Sequence, residues 1–333
     1  MRPFPVISST LSAPHLTIFL RDRYKLSVNT SCKLLKTGIN HSYLVSDGAD
    51  KFVFRVYSLD WRSETEISEE IRLLNLLRDG GVSVSYPLKD AGDNYIQQID
   101  APEGMRLGVM FSFAEGEKLL NLSEEQHYKI GETMARIHSL TQGLQLQRVH
   151  YTPEVVLQRP FRYLNNFLPA RSDEMAWMLS AQKYLLNEIA KADETQMRTG
   201  AVHLDIWFDN MNITKEGLVT IFDFDFCGNG WLAYDIAYNI LQIHSTEKDV
   251  AERELKKRSF IEGYESVTPI SAEEKRLLPI LGVSLYFFYL GIQAQRFDNW
   301  SNVFFNETYL KRFIKMLVRT FFEENVSAEL LAG

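Results

Sequence analysis

The sequence predicts an α+β protein with two lobes, a smaller β-rich N-terminal lobe and a larger, mainly helical C-terminal lobe. Three observations indicate this organisation. Runs with strand character are concentrated before residue 115, and apolar residues at helical spacing dominate after residue 118. The length of 333 residues corresponds to roughly two domains of about 150 residues each. We therefore expect an N-terminal lobe over 1–115 and a C-terminal lobe over 116–333.

Composition and charge narrow the class of protein. Hydrophobic residues make up 45% of the chain and charged residues 24%, which is ordinary globular usage and excludes a disordered chain. The net charge of −7 differs from the strongly basic balance of nucleic-acid-binding proteins, so we expect no nucleic-acid partner.

Cysteine usage and the N-terminus predict a cytoplasmic protein. Cys32 and Cys227, the only two cysteines, support neither a disulfide framework nor a four-ligand zinc site. Residues 1–10 lack the pattern of a signal peptide. The longest apolar run, at 277–292, has 16 residues, fewer than the roughly 20 that a membrane span needs. We interpret this run as a buried helix and expect no membrane association.

The order of elements follows from periodicity and turn residues. In the N-terminal lobe, Ser12 begins a first helix, and Asp47-Gly48 joins two strands. Gly38, before the first of these strands, is either a plain turn residue or a point where backbone approaches a phosphate. The predicted strands lie at 43–45, 52–57, 95–99 and 107–113, and the predicted helices at 63–78, 125–140, 172–192, 232–243, 249–264, 272–293 and 307–323.

A predicted β-hairpin inside the helical lobe carries a candidate metal site. Two apolar-rich runs flank the turn Lys215-Glu216-Gly217. Pairing the runs symmetrically places Thr214 opposite Val219 and Asn210 opposite Asp223, with Cβ atoms of opposed residues about 5 Å apart. Oxygen ligands from Asn and Asp suit Mg²⁺, which completes its shell with water and substrate phosphates. We therefore predict Asn210 and Asp223 as metal ligands.

Asp205 is the candidate catalytic residue. It precedes Asn210 by five residues, in the loop that leads into the hairpin. A carboxylate at this point can orient a hydroxyl group and accept its proton, and phosphoryl transfer requires little more than positioning and charge neutralisation. Taken alone, Asp205 and Asp223 could each be turn or strand-end residues, and Asp209 and Asp225 are rival acids for the metal. The combination of Asp205, Asn210 and Asp223 around one hairpin favours the catalytic interpretation.

These residues resemble a known catalytic segment. His203-Leu204-Asp205, Asn210 and Phe222-Asp223-Phe224 are similar to the catalytic segment of the aminoglycoside phosphotransferase/choline kinase family, and Tyr234-Asp235-Ile236-Ala237 is similar to a later segment of that family. The resemblance implies a bilobal protein-kinase-like fold, ATP and Mg²⁺ as cofactors, and a small-molecule hydroxyl acceptor. It implies that Asp205 is the base, that His203 braces the loop, and that Asp235 is a buried structural anchor.

The resemblance also assigns nucleotide contacts in the N-terminal lobe. Arg55 matches the family's nucleotide-contacting cation, and Glu70 matches the acid that pairs with it, although an ordinary surface Arg and helix Glu are alternatives. Residues 110–114 match the hinge that faces the adenine, so Met110 and Ser112 are further predicted contacts. His138 matches a helix-end histidine, which we interpret as a packing residue.

The sequence departs from the family pattern beside the motif. Leu204 stands where many members have Gly, and Trp207-Phe208-Asp209 replaces a smaller stretch. The run from Gly38 to Tyr43 is more similar to homoserine kinases and stress-response kinases than to antibiotic-resistance enzymes. A protein Ser/Thr kinase of the bacterial stress-response type and a nucleotide-binding pseudokinase therefore remain alternatives, although retention of Asp205 argues against the pseudokinase. The acceptor and the oligomeric state are not predicted.

Overall fold

The chain forms two compact units in the computed structural model, which describes residues 4–299 and 304–326. The first unit extends to Glu115 and includes a short segment beginning at Asp298; the second begins at Gly116. The division falls where the sequence changes from strand patterns to helix patterns.

The first unit is a six-stranded sheet with two helices. Its elements are α1 (Ala13–Tyr24), β1 (Ser31–Thr37), β2 (His41–Asp47), β3 (Asp50–Val56), α2 (Glu64–Asp79), β4 (Pro87–Leu88), β5 (Ile96–Ala101) and β6 (Gly104–Ser112). The strand order is β1-β2-β3-β6-β4, with β5 also paired to β6, and the pairs are antiparallel. The sequence predicted β2, β3, β5, β6 and both helices, and it missed β1 and β4.

The core of the first unit lies between the sheet and α1. Tyr43 and Val45 of β2 alternate inward, as do Phe54 and Val56 of β3, and these side chains pack with Leu16 and Leu20 of α1. Side chains at alternate positions of the two strands therefore form the face of the sheet that α1 covers.

Helix α2 begins at a capping box. The Ser63 side chain accepts a hydrogen bond from the Glu66 amide, and the Glu66 carboxylate accepts one from the Ser63 amide. Its buried face consists of apolar residues such as Ile67, Ile71 and Leu74, with the single acid Glu70 among them. A fully buried carboxylate requires a partner, which β3 supplies.

The second unit is mainly helical. Its helices are α3 (Glu124–Thr141), α4 (Arg159–Leu164), α5 (Asp173–Ala190), α6 (Ala233–Thr246), α7 (Val250–Glu265), α8 (Ala272–Gln295), α9 (Glu307–Phe313) and α10 (Thr320–Asn325). One turn of π-helix precedes α4 and another joins α9 to α10. The predicted helices correspond to these elements, except for α4, which the sequence reasoning missed.

Close helix contact organises the second unit. A Cβ atom at Gly131 of α3 would lie 2.1 Å from the Phe260 carbonyl oxygen, and one at Gly263 of α7 would lie 2.0 Å from the Tyr128 carbonyl oxygen. Only glycine allows the two backbones to approach so closely.

Helix α8 is the predicted buried helix. Among the described residues it is the one helix long and apolar enough to cross a membrane, but 78% of its most apolar window is buried inside the protein. Its burial is that of a core helix, as the sequence predicted.

Two small antiparallel sheets frame the loops of the second unit. The strands are β7 (Thr199–Val202), β8 (Met211–Ile213), β9 (Val219–Ile221) and β10 (Gly228–Trp231). Strand β7 pairs with β10, and β8 pairs with β9. The loop between β7 and β8 and the loop between β9 and β10 therefore emerge side by side.

The predicted register of the β8–β9 hairpin is wrong by one residue. Ile213 pairs with Val219 and Met211 with Ile221, so Asn210 does not lie opposite Asp223. The Gly217 amide bonds to the Thr214 carbonyl, the Thr214 amide bonds to the Leu218 carbonyl, and Gly217 has φ +83°. This is a three-residue loop that ends in a left-handed glycine, and it centres the hairpin on Glu216 rather than between residues 216 and 217.

Candidate active site

The loop after β7 is fastened to a buried carboxylate. The backbone amides of His203 and Leu204 donate to Asp235 Oδ2 and Oδ1, at 2.9 and 2.6 Å. Asp235 is fully buried at the start of α6 and also contacts His138 Nε2 at 3.1 Å. These contacts confirm the predictions of Asp235 as an anchor and of His138 as a packing residue, which is held on its other nitrogen by the Tyr264 hydroxyl.

Leu204 occupies a backbone conformation that favours glycine. Its φ is +69°, in the left-handed region, while its side chain is fully buried. A residue with a Cβ is disfavoured there by roughly 1–2 kcal/mol, and the two bonds to Asp235 hold it in place. Leu204, which stands where the resemblance predicts glycine, is therefore a strained position.

His203 braces the two loops against each other. Its Nδ1 accepts from the Asp205 amide at 3.1 Å, so Nε2 carries the hydrogen and donates to the Phe222 carbonyl at 3.1 Å. Burial lowers the pKa of His203, which favours the neutral ring that this arrangement needs. The predicted bracing role is confirmed.

Both carboxylate oxygens of Asp205 accept hydrogen bonds. The Tyr238 hydroxyl donates to Oδ1 at 2.8 Å, and the Asn210 amide nitrogen donates to Oδ2 at 2.7 Å. Burial raises the pKa of Asp205 to about 7, and the charge of Asp223 acts in the same direction, while the hydrogen bonds from Tyr238 and Asn210 lower it. Asp205 as a whole residue is nevertheless only half-buried.

The two predicted metal ligands, Asn210 and Asp223, come after the residues that His203 joins, Asp205 and Phe222. Asn210 is buried, and because its amide nitrogen faces Asp205, its amide oxygen is directed away from that carboxylate. The Phe222 amide donates to the Asn210 carbonyl at 3.0 Å, and Asp223 follows with φ +66°. The structure thus brings the loops of Asn210 and Asp223 together, although Phe222 and not Asp223 is the residue opposite Asn210.

The donor set fits a hard cation that is shared with a substrate. Among the described residues, no group of three or more His, Cys, Asp or Glu side chains could hold a metal ion. An amide oxygen and a carboxylate oxygen would supply only two ligands, the number that Mg²⁺ takes from proteins when phosphates and water complete its shell.

Of the two rival acids, Asp209 has a side-chain partner outside the predicted metal site. Asp209 forms a 2.6 Å ion pair with Lys118, whose ammonium also lies 5.4 Å from the centre of the Phe222 ring. Asp225 is 3% exposed, and its carbonyl oxygen accepts from Arg148. The ion pair gives Asp209 a surface role in which its charge is already balanced.

The predicted Arg55–Glu70 pair forms within the first unit. Arg55 Nη1 lies 2.8 Å from Glu70 Oε1, and the Tyr57 hydroxyl donates to Glu70 Oε2 at 3.0 Å. The Arg55 and Glu70 side chains are 9% and 0% exposed, and the guanidinium lies 5.0 Å from the centre of the Phe111 ring. The surface Arg and helix Glu alternative is therefore excluded by burial.

Met110 and Ser112 are engaged within the sheet. The Met110 side chain is 1% exposed and belongs to the core that α1 covers. The Ser112 amide donates to the Tyr86 carbonyl at 2.8 Å, and its hydroxyl accepts from the Tyr86 amide at 3.0 Å. The Met110 side chain is therefore part of the core of the first unit, and the Ser112 amide and hydroxyl are already hydrogen-bonded within it.

Sequence reasoning missed Tyr238 and Tyr289. Tyr289 donates to the Leu204 carbonyl at 2.9 Å, and its ring lies 5.4 Å from that of Tyr238. Tyrosines in apolar helices are usually core residues, and Tyr289 lies in the run 277–292 that the sequence predicts to be a buried helix. A usable signal exists for Tyr238, because it follows the anchor Asp235 by three residues and so shares its helix face.

Comparison with known proteins identifies the family. The model of the phosphotransferase enzyme family, APH, matches residues 32–270 of the chain. With the bilobal protein-kinase-like fold and the site described above, this defines the protein as a small-molecule kinase. The chain belongs to the APH phosphotransferase family, as the resemblance of its catalytic segment predicted.

Individual relatives cover most of the chain. An uncharacterised protein of Synechocystis sp. is 30% identical over 327 residues, 94% of this chain and 87% of the relative. The homoserine kinase of Sinorhizobium medicae is 29% identical over 272 residues, 80% of this chain and 79% of the relative. The solved structure of an amicoumacin kinase with AMP-PNP and Ca²⁺ has a TM-score of 0.74 at 21% identity and covers 92% of this chain and 93% of its own, so it shares the fold.

Proposed function

We propose that the protein is an ATP- and Mg²⁺-dependent kinase that transfers the γ-phosphoryl group to a hydroxyl of a small metabolite, with Asp205 as the catalytic base. The observation that carries this proposal is the Asp205 carboxylate, which Tyr238 and Asn210 orient through both oxygens in a residue that is half-buried. A base needs a defined direction and an available lone pair, and each carboxylate oxygen has two.

The proposed step is a direct transfer. Asp205 accepts the proton of the acceptor hydroxyl as that oxygen forms a bond to the γ-phosphorus, and the bond from the γ-phosphorus to the β,γ-bridging oxygen breaks to release ADP. A pKa of about 7 suits a base that works near neutral pH. Tyr238 and His203 keep the carboxylate and its loop in position and take up no proton.

Asn210 and Asp223 are the proposed Mg²⁺ ligands. Bound Mg²⁺ neutralises phosphate charge in phosphoryl transfer. The chain contributes the amide oxygen of Asn210, fixed by the hydrogen bonds of its nitrogen, and the carboxylate of Asp223. The Phe222 amide bond to the Asn210 carbonyl holds the two donor positions together.

Arg55 is the proposed nucleotide-binding cation, supported by Glu70. The Glu70 carboxylate and two aromatic rings restrict the guanidinium, and the fork-shaped geometry of a guanidinium matches phosphate oxygens. The backbone of residues 110–114 is the proposed adenine-binding segment, including Met110 and Ser112. AMP-PNP in the amicoumacin kinase structure supports ATP as the donor, and an ATP-dependent enzyme of this kind is expected in the cytoplasm.

L-Homoserine is the first acceptor to test, because several relatives that match most of this chain are homoserine kinases. The experiment measures thermal stabilisation and phosphate transfer with ATP, with MgCl₂ or EDTA, for homoserine, choline, ethanolamine and a generic protein substrate. Nucleotide at 100 times its Kd adds about 2.7 kcal/mol to stability. We expect stabilisation that requires Mg²⁺ and transfer to one small hydroxyl compound.

Two variants sharpen this test. Asp205→Asn should abolish transfer and retain nucleotide binding, whereas Asp209→Asn, whose carboxylate is paired with Lys118, should retain transfer. Transfer only to protein would replace the small-metabolite proposal with the protein kinase alternative. Nucleotide binding without transfer to any acceptor would favour the pseudokinase, and full activity of Asp205→Asn would refute the role of Asp205.

A further inference from the structure

An open groove lies at the C-terminal end of α6, within the second unit. A volume of about 500 Å³ in this groove is accessible to water, which is within the range of small-molecule sites, about 300–1,000 Å³. Its walls come from the end of α6, the linker to α7 and the first turn of α7 on one side. On the other side they come from α9, the π-helical turn after it and the first residue of α10.

The groove is separate from the proposed active site. Asp235 and Tyr238, which hold the catalytic loop and the carboxylate of Asp205, lie in the first half of α6. His244, the first groove residue of α6, follows Tyr238 by six residues, which is about 9 Å along a helix axis. None of the residues that line the groove takes part in the proposed reaction, so that reaction does not account for it.

One wall of the groove is apolar. Tyr309 and Phe313 of α9 contribute half-buried rings whose centres are 5.7 Å apart. Leu317 is also half-buried, and Met316 is 57% exposed. Met316 and Leu317 belong to the π-helical turn Ile314–Arg319, and such turns are frequent at functional sites. A ligand with an apolar body would cover these side chains, and a flexible methionine adapts to its shape.

The acids at the groove are already neutralised. Glu247, the one acid among the described residues that line it, forms a 2.6 Å ion pair with Lys256. Glu324 contacts Arg253 at 2.8 Å and His244 at 2.9 Å. Burial lowers the pKa of His244, so its ring adds no positive charge near neutral pH. These groups together leave no unpaired negative charge for a cationic ligand.

Two cations at the groove have no such partner. Lys248 and Arg312 line it and are exposed, and neither forms an ion pair with another described residue. An ammonium and a guanidinium both bind carboxylates, the first as a point charge and the second as a fork of donors. The groove therefore presents an apolar wall and an uncompensated positive charge, which is complementary to an anion that carries an apolar body.

We propose that this groove is a second small-molecule site, which binds an amphipathic organic anion, a carboxylate on an apolar skeleton. Lys248 and Arg312 bind the carboxylate, and the apolar wall from α9 and the π-helical turn binds the skeleton. Lys248 belongs to the linker between α6 and α7, whereas Arg312 belongs to α9. A bound anion would therefore join two parts of the second unit that are far apart in the sequence.

Decanoate is the probe for the test, because it joins one carboxylate to an apolar chain. The protein is labelled with methionine carrying ¹³C in its methyl group, and the Met316 resonance is assigned with Met316→Leu. Decanoate is titrated below its micelle-forming concentration while methyl spectra are recorded. We expect a saturable shift of Met316 and none of Met105, which is 52% exposed in the first unit. Decyltrimethylammonium, with the same chain and the opposite charge, should bind at least fivefold more weakly.

Substitutions of exposed residues then locate the site. Lys248→Gln combined with Arg312→Gln should weaken decanoate at least fivefold, because both unpaired cations are lost. Arg258→Gln combined with Lys315→Gln is the matched control, since it removes the same charge from exposed residues outside the groove, and it should leave the Kd unchanged. The readout is binding, so it does not depend on whether the protein transfers phosphate.

Several results would overturn the proposal. A linear shift of Met316, or an equal shift of Met105, would show that decanoate has no defined site in the groove. Equal affinities for the two probes, or equal Kd values for the two double variants, would show that the cations do not select an anion. Sedimentation that revealed a dimer dissociated by decanoate would give the groove to a second copy of the chain instead.

Discussion

The Tyr238 hydroxyl lies 2.8 Å from Oδ1 of Asp205 and donates to it, while Asn210 donates to the other oxygen of the same carboxylate. The carboxylate is thereby fixed in rotation by residues on two different elements. Burial and the neighbouring carboxylate raise the pKa of the Tyr238 hydroxyl well above its usual value, so the phenol remains a donor at every working pH.

Tyr238→Phe should lower kcat by about tenfold and change the acceptor KM by less than about twofold, because orientation of the base is lost while the binding surface remains. Steady-state kinetics with saturating MgATP measure both constants. Tyr286→Phe is the matched control, since the Tyr286 hydroxyl is buried with no partner among the described residues. Equal kcat values for Tyr238→Phe and wild type would show that Tyr238 does not position Asp205.

Asp205→Asn should stabilise the ligand-free protein at pH 8. The folded pKa of Asp205, about 7, exceeds the unfolded value near 3.9, so the folded state loses stability as pH rises from about 4 to 7. Removing the charge relieves this cost, and weaker hydrogen bonds offset part of the gain, leaving on the order of 1–2 kcal/mol. Urea unfolding at pH 5 and pH 8 checks the sign: the variant's advantage should be larger at pH 8, and a uniform or reversed difference would contradict it.

Glu70→Gln should destabilise the protein by about 1–3 kcal/mol and weaken nucleotide about tenfold. The change leaves the buried guanidinium of Arg55 without a balancing charge. Denaturant unfolding and nucleotide titration measure the two effects. Glu69→Gln is the control, because its partner Arg72 is 46% exposed and such surface pairs contribute at most about 1 kcal/mol. Equal stability and equal nucleotide affinity of Glu70→Gln and Glu69→Gln would show that the Arg55–Glu70 pair does not support nucleotide binding.

Leu204→Gly should be more stable than Leu204→Ala by about 1 kcal/mol. Both variants lose the buried side chain, at a cost of about 2–5 kcal/mol, but only glycine adopts φ +69° without strain. The wild type is therefore expected to be the most stable, followed by Leu204→Gly and then Leu204→Ala. Glycine thus ranks above alanine, although alanine is usually the more stable of the two in a helix or strand. Urea midpoints of the three proteins give the order, and Ala above Gly would show that the backbone there is unstrained.

Periodicity in the sequence predicted most of the helices, because each buries one apolar stripe, and it predicted the strands whose side chains alternate. Strands β1 and β4 were missed for different reasons. Strand β1 has exposed positions over much of its length, and β4 is two residues long, so neither carries a periodic signal.

Within the site, the sequence predicted the residue types and their order but not their register. The pairing of Asn210 depended on the conformation of Gly217, since a left-handed glycine at the end of the turn shifts every pair by one. The Arg55–Glu70 pair was predictable from the motif. The spacing from Asp235 indicates the helix face of Tyr238, but the contact of Tyr238 with Asp205 depends on how α6 packs beneath the loop.

Asp235 accepts hydrogen bonds from two backbone amides of the loop and one from His138 in α3. The reactive segment is consequently fastened at the centre of the helical unit, on a group that cannot be solvated. Folding of the helical unit and ordering of the loop that contains Asp205 should then occur in the same step of refolding. Transfer activity should return together with the His138–Asp235 contact that joins α3 to α6, without a lag. An activity assay would then count correctly folded molecules.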